Sequence, residues 1–250
     1  MSLTPRPLGH YRFLTGIAPY SSGVVAEPGW EIIHIRLAAP LPWRKGMDRI
    51  RSFLESEGRD RHALCGVELR CPEPHTMDGF IEFNREYREL LREWDLLEGE
   101  ANPIARTNVA PVIDAPTESV VFGFSYTAPC NHQRSTFVVA GGGELPGELD
   151  AAHIVRAGET DEDAMLAKAQ CVVKIMQDRL AALGDDALLT SINVYTAHAL
   201  RRLLTDVVLP GIPAAARLGA HWHFARPPVQ QIEFEMDMRG VLQERTVDLR

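Results

Sequence analysis

Arg106 stands in the run Asn102-Pro103-Ile104-Ala105-Arg106-Thr107, where helical spacing gives way to strand-like sequence. A planar guanidinium at such a transition can grip a carboxylate through paired charge-assisted hydrogen bonds, and a surface ion pair is the plainer alternative. Gly141-Gly142-Gly143 can let backbone N–H groups approach a ligand oxygen closely, or simply form a tight turn. No lysine follows in a phosphate-loop pattern, so nucleotide binding is poorly supported. His221 and His223 share one face of a strand but are too few to hold a metal, and no HExxH or Cys/His cluster completes a set. Neither a metal nor an organic cofactor is expected. Trp222 and Arg226, just before Pro227-Pro228, can line a pocket wall, with core packing and a surface turn as their alternatives.

These residues must be carried by strands and helices that occur in a repeated order. Val24-Val25 and residues 31–35 flank a Pro28-Gly29 turn and read as a hairpin. Met47, Ile50, Phe53 and Leu54 recur at helical spacing until Gly58, a strand follows at 64–70, and Phe80, Phe83, Tyr87, Leu90, Leu91 and Trp94 form a longer helical stripe. Strands at 109–113 and 120–126 close the unit. The second half offers a strand at 136–140, a helix over 161–183 ended by Gly184, a strand at 189–195, a helix at 197–208 and a strand at 231–238. In that last strand Ile232, Phe234, Met236 and Met238 alternate with Glu233, Glu235, Asp237 and Arg239, so one face is apolar and the other charged. The polar break at 128–134 predicts a junction, giving domains over 1–130 and 131–250.

Composition narrows the class. A hydrophobic fraction of 45% and a charged fraction of 24% describe a globular chain, and 34 acidic against 26 basic residues give a formal charge of -8 that disfavours nucleic acid or anionic membrane as partner. No apolar run reaches the roughly 18–20 residues of a membrane-spanning helix. Scattered cysteines without a CxxC pair, and no signal-like segment upstream of Leu14, predict a reduced, cytoplasmic protein.

Several segments resemble the RidA/YjgF family. Gly16-Ile17-Ala18-Pro19-Tyr20-Ser21-Ser22-Gly23 is similar to its opening motif, Phe83-Asn84-Arg85-Glu86-Tyr87 to its Asn-x-x-Tyr, and Asn102 to Thr107 to its Pro-Ala-Arg-Ser/Thr segment. Ala140-Gly141 occupies its Ser-Gly position, and Ile232 to Glu235 resembles its closing strand. The resemblance implies an α+β fold of two tandem chorismate-mutase-like domains, each a mainly antiparallel sheet with two helices on one face. It also implies self-association, as a trimer, and a cleft for a small carboxylate-bearing metabolite.

In that family an arginine holds the carboxylate while an acid positions water for hydrolysis of an enamine or imine. The resemblance implies Arg106, Tyr20, Asn84 and Gly141 for substrate and Glu233 as the catalytic residue, and the pocket-wall candidates Trp222 and Arg226 complete the expected substrate site. A solvated sheet face is the alternative for Glu233. A non-catalytic metabolite-binding protein and a chorismatase-like enzyme are the competing functions.

Overall fold

The computed structural model describes residues 3–184 and 188–250. Up to the middle of the chain the strands are β1 (Leu3–Arg6), β2 (Tyr11–Leu14), β3 (Gly23–Ala26), β4 (Trp30–Pro42), β5 (Leu64–Arg70), β6 (Ala105–Pro111) and β7 (Val120–Pro129). They are followed by β8 (Phe137–Gly143), β9 (Ser191–Tyr195), β10 (His221–His223), β11 (Ala225–Arg226), β12 (Glu235–Gly240) and β13 (Gln243–Val247). The principal helices are α1 (Trp43–Ser56), α2 (Met77–Glu93) and α3 (Glu162–Leu183). Thr76 and Asp161 start α2 and α3 by accepting from the N–H groups of Gly79 and Ala164 at 3.1 and 2.9 Å.

The strands form two mixed sheets, ordered β1-β2-β3-β8-β12-β9-β10 and β11-β6-β5-β7-β4-β13. Met165, Ala169, Val172 and Met176 of α3 pack on Phe137, Val139, Met236 and Met238 of the first sheet, and on Phe234 just before β12. Met47, Ile50 and Leu54 of α1, with Tyr87 and Leu91 of α2, pack on Ile33, Ile35, Val67 and Phe124 of the second. Phe13, Val24, Val138 and Ala140 from one sheet meet Ile32, Cys65 and Ala105 from the other. The layers therefore run helix, sheet, sheet, helix, and apolar burial accounts for both outer interfaces and part of the inner one.

This architecture corrects the expected tandem pair of chorismate-mutase-like domains. β1, β2 and β3, from before the 128–134 break, hydrogen-bond into the sheet of β8, β12, β9 and β10. β11 and β13, from after it, join the sheet of β4 to β7, through β6 and β4 respectively. Each sheet is thus built from both halves. The elements that carry the exchange are short or polar: β11 has two residues, and Gln243-Glu244-Arg245-Thr246 offers no apolar alternation. Their partners are set by backbone pairing across the fold, which leaves no period in the sequence.

The remainder of the inner interface is charged. Arg239 of β12 reaches Glu68 of β5 at 2.5 Å, and Glu68 also lies 3.5 Å from Nε2 of His34. Burial pushes the Glu68 carboxyl up, but the Arg239, His34 and Arg70 charges outweigh it and hold it at about 2. A carboxylate depressed in this way contributes stability above its ordinary value of 4.5, lost as pH falls toward 2. Glu68→Gln takes from Arg239 the nearest of its carboxylates, leaving Glu244 at 3.5 Å and Asp237 at 4.0 Å, and is expected to cost about 1.5–3 kcal/mol in urea unfolding at neutral pH. The deficit should shrink as pH falls from about 4.5 to about 2, where the native carboxylate is itself protonated.

Candidate active site

Two sequence segments are fastened together beside the second sheet. Asn102 Nδ2 donates to the Pro19 carbonyl at 2.6 Å while its Oδ1 accepts from Ile104 N–H at 2.9 Å, and Ser21 N–H donates to the Ile104 carbonyl at 3.0 Å. The Pro19-Tyr20 loop is thereby held against the start of β6. Arg106, on β6, lies beneath α2, whose Phe80, Phe83, Asn84 and Tyr87 recur at one-face helical spacing. Its Cζ is 4.8 Å from the Tyr87 ring centroid, 5.1 Å from Tyr20 and 5.8 Å from each of Phe80 and Phe83. Its Nη2 donates to Asn84 Oδ1 at 2.5 Å.

Arg106 is buried, and among the described residues it has no carboxylate within 4 Å. Its Nη1, the Asn84 Nδ2 and the Tyr87 hydroxyl are buried without hydrogen-bond partners. The aromatic rings supply cation–π stabilisation in place of an anion. Burial lowers the Arg106 pKa, yet a guanidinium stays protonated in proteins, so a fixed positive charge stands behind Tyr20.

Tyr20 and Phe80 form part of the wall of a cavity of about 370 Å³, whose other polar lining includes Ser22, Arg179 and Glu235. Leu145, Leu149, Ile175, Val229 and Ile232 make its apolar side. Arg179 comes from α3 and is held from behind, its Nη1 donating to the carbonyls of Ala140 and Gly141 at 2.8 and 3.1 Å. Those carbonyls lie where the register of β8 against β12 shifts, a bulge that turns backbone acceptors out of the ladder.

Glu235 is the first residue of β12, opposite Gly143 on one side and Tyr195 on the other. It is 5% exposed and, among the described residues, has neither a side-chain hydrogen bond nor an ion pair. Burial, then the neighbouring Asp237 charge, pushes its carboxyl well above the ordinary carboxylate range, with Arg179 opposing. A Cβ at Gly141 would fall on Glu235 Oε1 and against Thr107, so glycine there makes the room in which the carboxyl sits. Gly142 likewise leaves space for Met176 and Arg179.

The start of β12 is fixed by a buried pair: Lys168 Nζ contacts Glu144 Oε1 at 3.0 Å, and Glu144 accepts from the N–H groups of Glu233 and Phe234 at 2.6 and 3.0 Å. Gln231, with φ 72, bends the preceding chain. The strand therefore begins at Glu235 and not at 231, and Glu233 falls outside it. The Glu233 carboxylate pairs with His198 Nε2 at 3.0 Å and does not line the cavity. The structure thus brings Arg106, Tyr20 and Asn84 together, sets Gly141 against Glu235 and Thr107, and leaves out Glu233, Trp222 and Arg226. Trp222 is half-exposed, with its indole N–H donating to the Thr196 carbonyl at 3.0 Å, and Arg226 is exposed on β11. Sequence reasoning passed over Glu235, which the alternating strand displayed, and Arg179, which had no motif around it.

The cavity brings together an arginine, a tyrosine and an acid whose pKa burial raises, against an apolar wall. Residues 3–245 match the family described as "2-aminomuconate deaminase CnbZ", and the chain belongs to that family. It is 36% identical over 244 residues to the "2-amino-5-chloromuconate deaminase" of Comamonas testosteroni, covering 94% of this chain and 95% of that one. A chorismatase crystal structure superposes with a TM-score of 0.46 at 10% identity, covering 96% of this chain and 89% of that one.

Membership in this deaminase family corrects the RidA/YjgF assignment. The short segments that carried the resemblance are turn, helix-face and strand patterns, which a different sheet arrangement can also present. No helix among the described residues is long and apolar enough to cross a membrane.

Gly141→Ala is expected to displace the Glu235 carboxyl from its seat and lower stability by about 1–3 kcal/mol through overpacking. Thermal unfolding measures the loss, and deaminase activity should fall with it.

Proposed function

We propose that the chain deaminates a 2-amino unsaturated dicarboxylate of the 2-aminomuconate class by hydrolysis of its enamine C–N bond, with the cavity beside Glu235 as the reaction chamber. The observation that carries this reading is Glu235 itself, a buried carboxyl without a partner, facing the cavity that Arg179 and Tyr20 also line. It takes the role expected from sequence for Glu233.

Arg179, steadied through Nη1 by two backbone carbonyls, receives one substrate carboxylate with the rest of its guanidinium. Arg106 adds positive potential from behind Tyr20, and Asn84 holds that guanidinium in place. The apolar side of the cavity accepts the carbon chain. A cavity of about 370 Å³ lies within the range of small-molecule sites.

Glu235 gives its proton to the enamine carbon, producing an iminium. The resulting carboxylate takes a proton from the water that adds to the C–N carbon. It passes that proton to nitrogen and recovers the last from the carbinol hydroxyl as ammonia leaves, so a 2-oxo acid forms and Glu235 ends protonated as it began. An acid with a raised pKa suits the first step, because the proton is still present near neutral pH.

Ammonia release from 2-aminomuconate tests the assignment. Glu235→Gln should lower kcat by roughly 10²–10⁴-fold, the usual contribution of a positioned acid–base group. Arg179→Ala should raise KM roughly 10- to 150-fold, equivalent to the loss of about 1.5–3 kcal/mol for a hydrogen-bonded charged partner. Because the acid form starts the reaction, kcat/KM should fall as pH rises through the raised pKa of Glu235. Full ammonia release by Glu235→Gln would end the assignment.

A further inference from the structure

We propose that Asp237, a buried carboxylate two residues along the same face of β12, is the positioning residue that keeps Glu235 in its acid form. This rests on the assignment of Glu235 as the acid. Residues two apart on a strand point the same way, and β12 keeps an unbroken register with β9 over this stretch, Glu235 opposite Tyr195 and Asp237 opposite Asn193. Both side chains therefore enter the space between the sheets.

Hydrogen-bond donors surround Asp237. Oδ2 accepts from Thr107 Oγ1 at 2.7 Å and from the Tyr195 hydroxyl at 2.8 Å, while Oδ1 accepts from Asn193 Nδ2 at 2.6 Å. The Asn193 amide and two hydroxyls converge on this one group, a set of donors that can hydrogen-bond both oxygens of a carboxylate. The nearest cation, Arg239, stands 4.0 Å away and makes its short contact, at 2.5 Å, with Glu68. Hydrogen-bond dipoles therefore make the close contacts of Asp237, with Arg239 at the outer limit of an ion pair.

Asn193 is itself fixed, its Oδ1 lying 3.3 Å from ring nitrogens of both His221 and His223. These are the two histidines that the sequence places on one strand face, and here they orient the amide that donates to Asp237.

The other groups acting on Glu235 come from every neighbouring element. Arg179 of α3, Arg106 of β6 and Arg70 of β5 favour its ionised form, whereas Glu144, after β8, opposes it. Tyr20, from the β2–β3 loop, and Cys71, after β5, are neutral neighbours. Arg106 is on the outward side of β6 and Arg179 is shared with two carbonyls, so the fixed anion nearest along the strand face tips the balance toward the acid.

Asp237→Asn removes the charge at nearly constant shape. With 2-aminomuconate as substrate, the alkaline limb of the kcat/KM profile should move to lower pH by ~1–2 units, the size expected for one charge at strand spacing in a protein interior. KM at low pH should change little. A limb that stays in place in the folded variant would overturn the proposal, because a merely structural role lowers activity without moving the profile. If that variant does not fold, infrared difference spectra that isolate the Glu235 carboxyl by Glu235→Gln, taken in the wild type and in Asp237→Ser, give the same decision. A protonated-carboxyl band of Glu235 that titrates at lower pH in Asp237→Ser than in the wild type supports the proposal, and one that titrates at the same pH in both overturns it. A Glu235 ionised at neutral pH while turnover still depends on it would refute the Asp237 role and leave Glu235 as the catalytic group. Turnover independent of Glu235 would instead remove the assignment on which the inference rests.

Discussion

The charged face of β12 is confined between two sheets, and the rest of the structure answers to that confinement. Glu235, Asp237 and Arg239 are each buried. Taking such groups out of water costs several kcal/mol apiece unless partners replace the lost hydration. Glu68 from β5 answers Arg239, and Thr107, Asn193 and Tyr195 answer Asp237. The Glu68 and Thr107 contacts cross from one sheet to the other, whereas Asn193 and Tyr195 answer from the neighbouring strand β9, so the charged row also helps fix how the sheets are stacked. Glu235 is left unanswered and faces the cavity.

That asymmetry separates scaffold from site along a single strand. Carboxyls that must stay ionised are surrounded by donors or cations. The one that faces the cavity is desolvated, placed beside another anion and given only distant arginines. Stability is forgone there, as at other sites where a group is held in the less favoured ionisation state. The β8 bulge, Gly141 and the Glu144–Lys168 pair serve the same position from outside, by clearing room for Glu235 and fixing where β12 begins.

The corrected relationship has a local cause. The Pro19-Tyr20 loop, the Asn84 helix face and the Arg106 segment do assemble, because Asn102 staples the loop to β6 and α2 lies over both. Such an assembly needs only a strand, a helix and a loop meeting at one edge. It does not require each half of the chain to close its own sheet, and here neither half does. The family shared over nearly the full length is that of the 2-aminomuconate deaminases.

Apolar periodicity in the sequence by itself determined the long helices and central strands: the α2 stripe, the α3 stripe and the two-faced β12 segment follow directly from it. The sequence also singled out Arg106, Asn84 and Tyr20, which meet in space, and Gly141, which lies against Glu235. Alternation at period two told which residues share a face of β12 but not what lies opposite, so a charged row looked equally fit for solvent. Only the second sheet made that face an interior. Only the bend at Gln231 and the Glu144 clamp decided that Glu235, rather than Glu233, stands first on the strand and beside the cavity. Arg179 was likewise placed by the packing of α3 on the first sheet, and the exchanged strands β3, β11 and β13 by pairing with β8, β6 and β4. Those strand pairings are long-range backbone contacts, which impose no local pattern on the residues that make them.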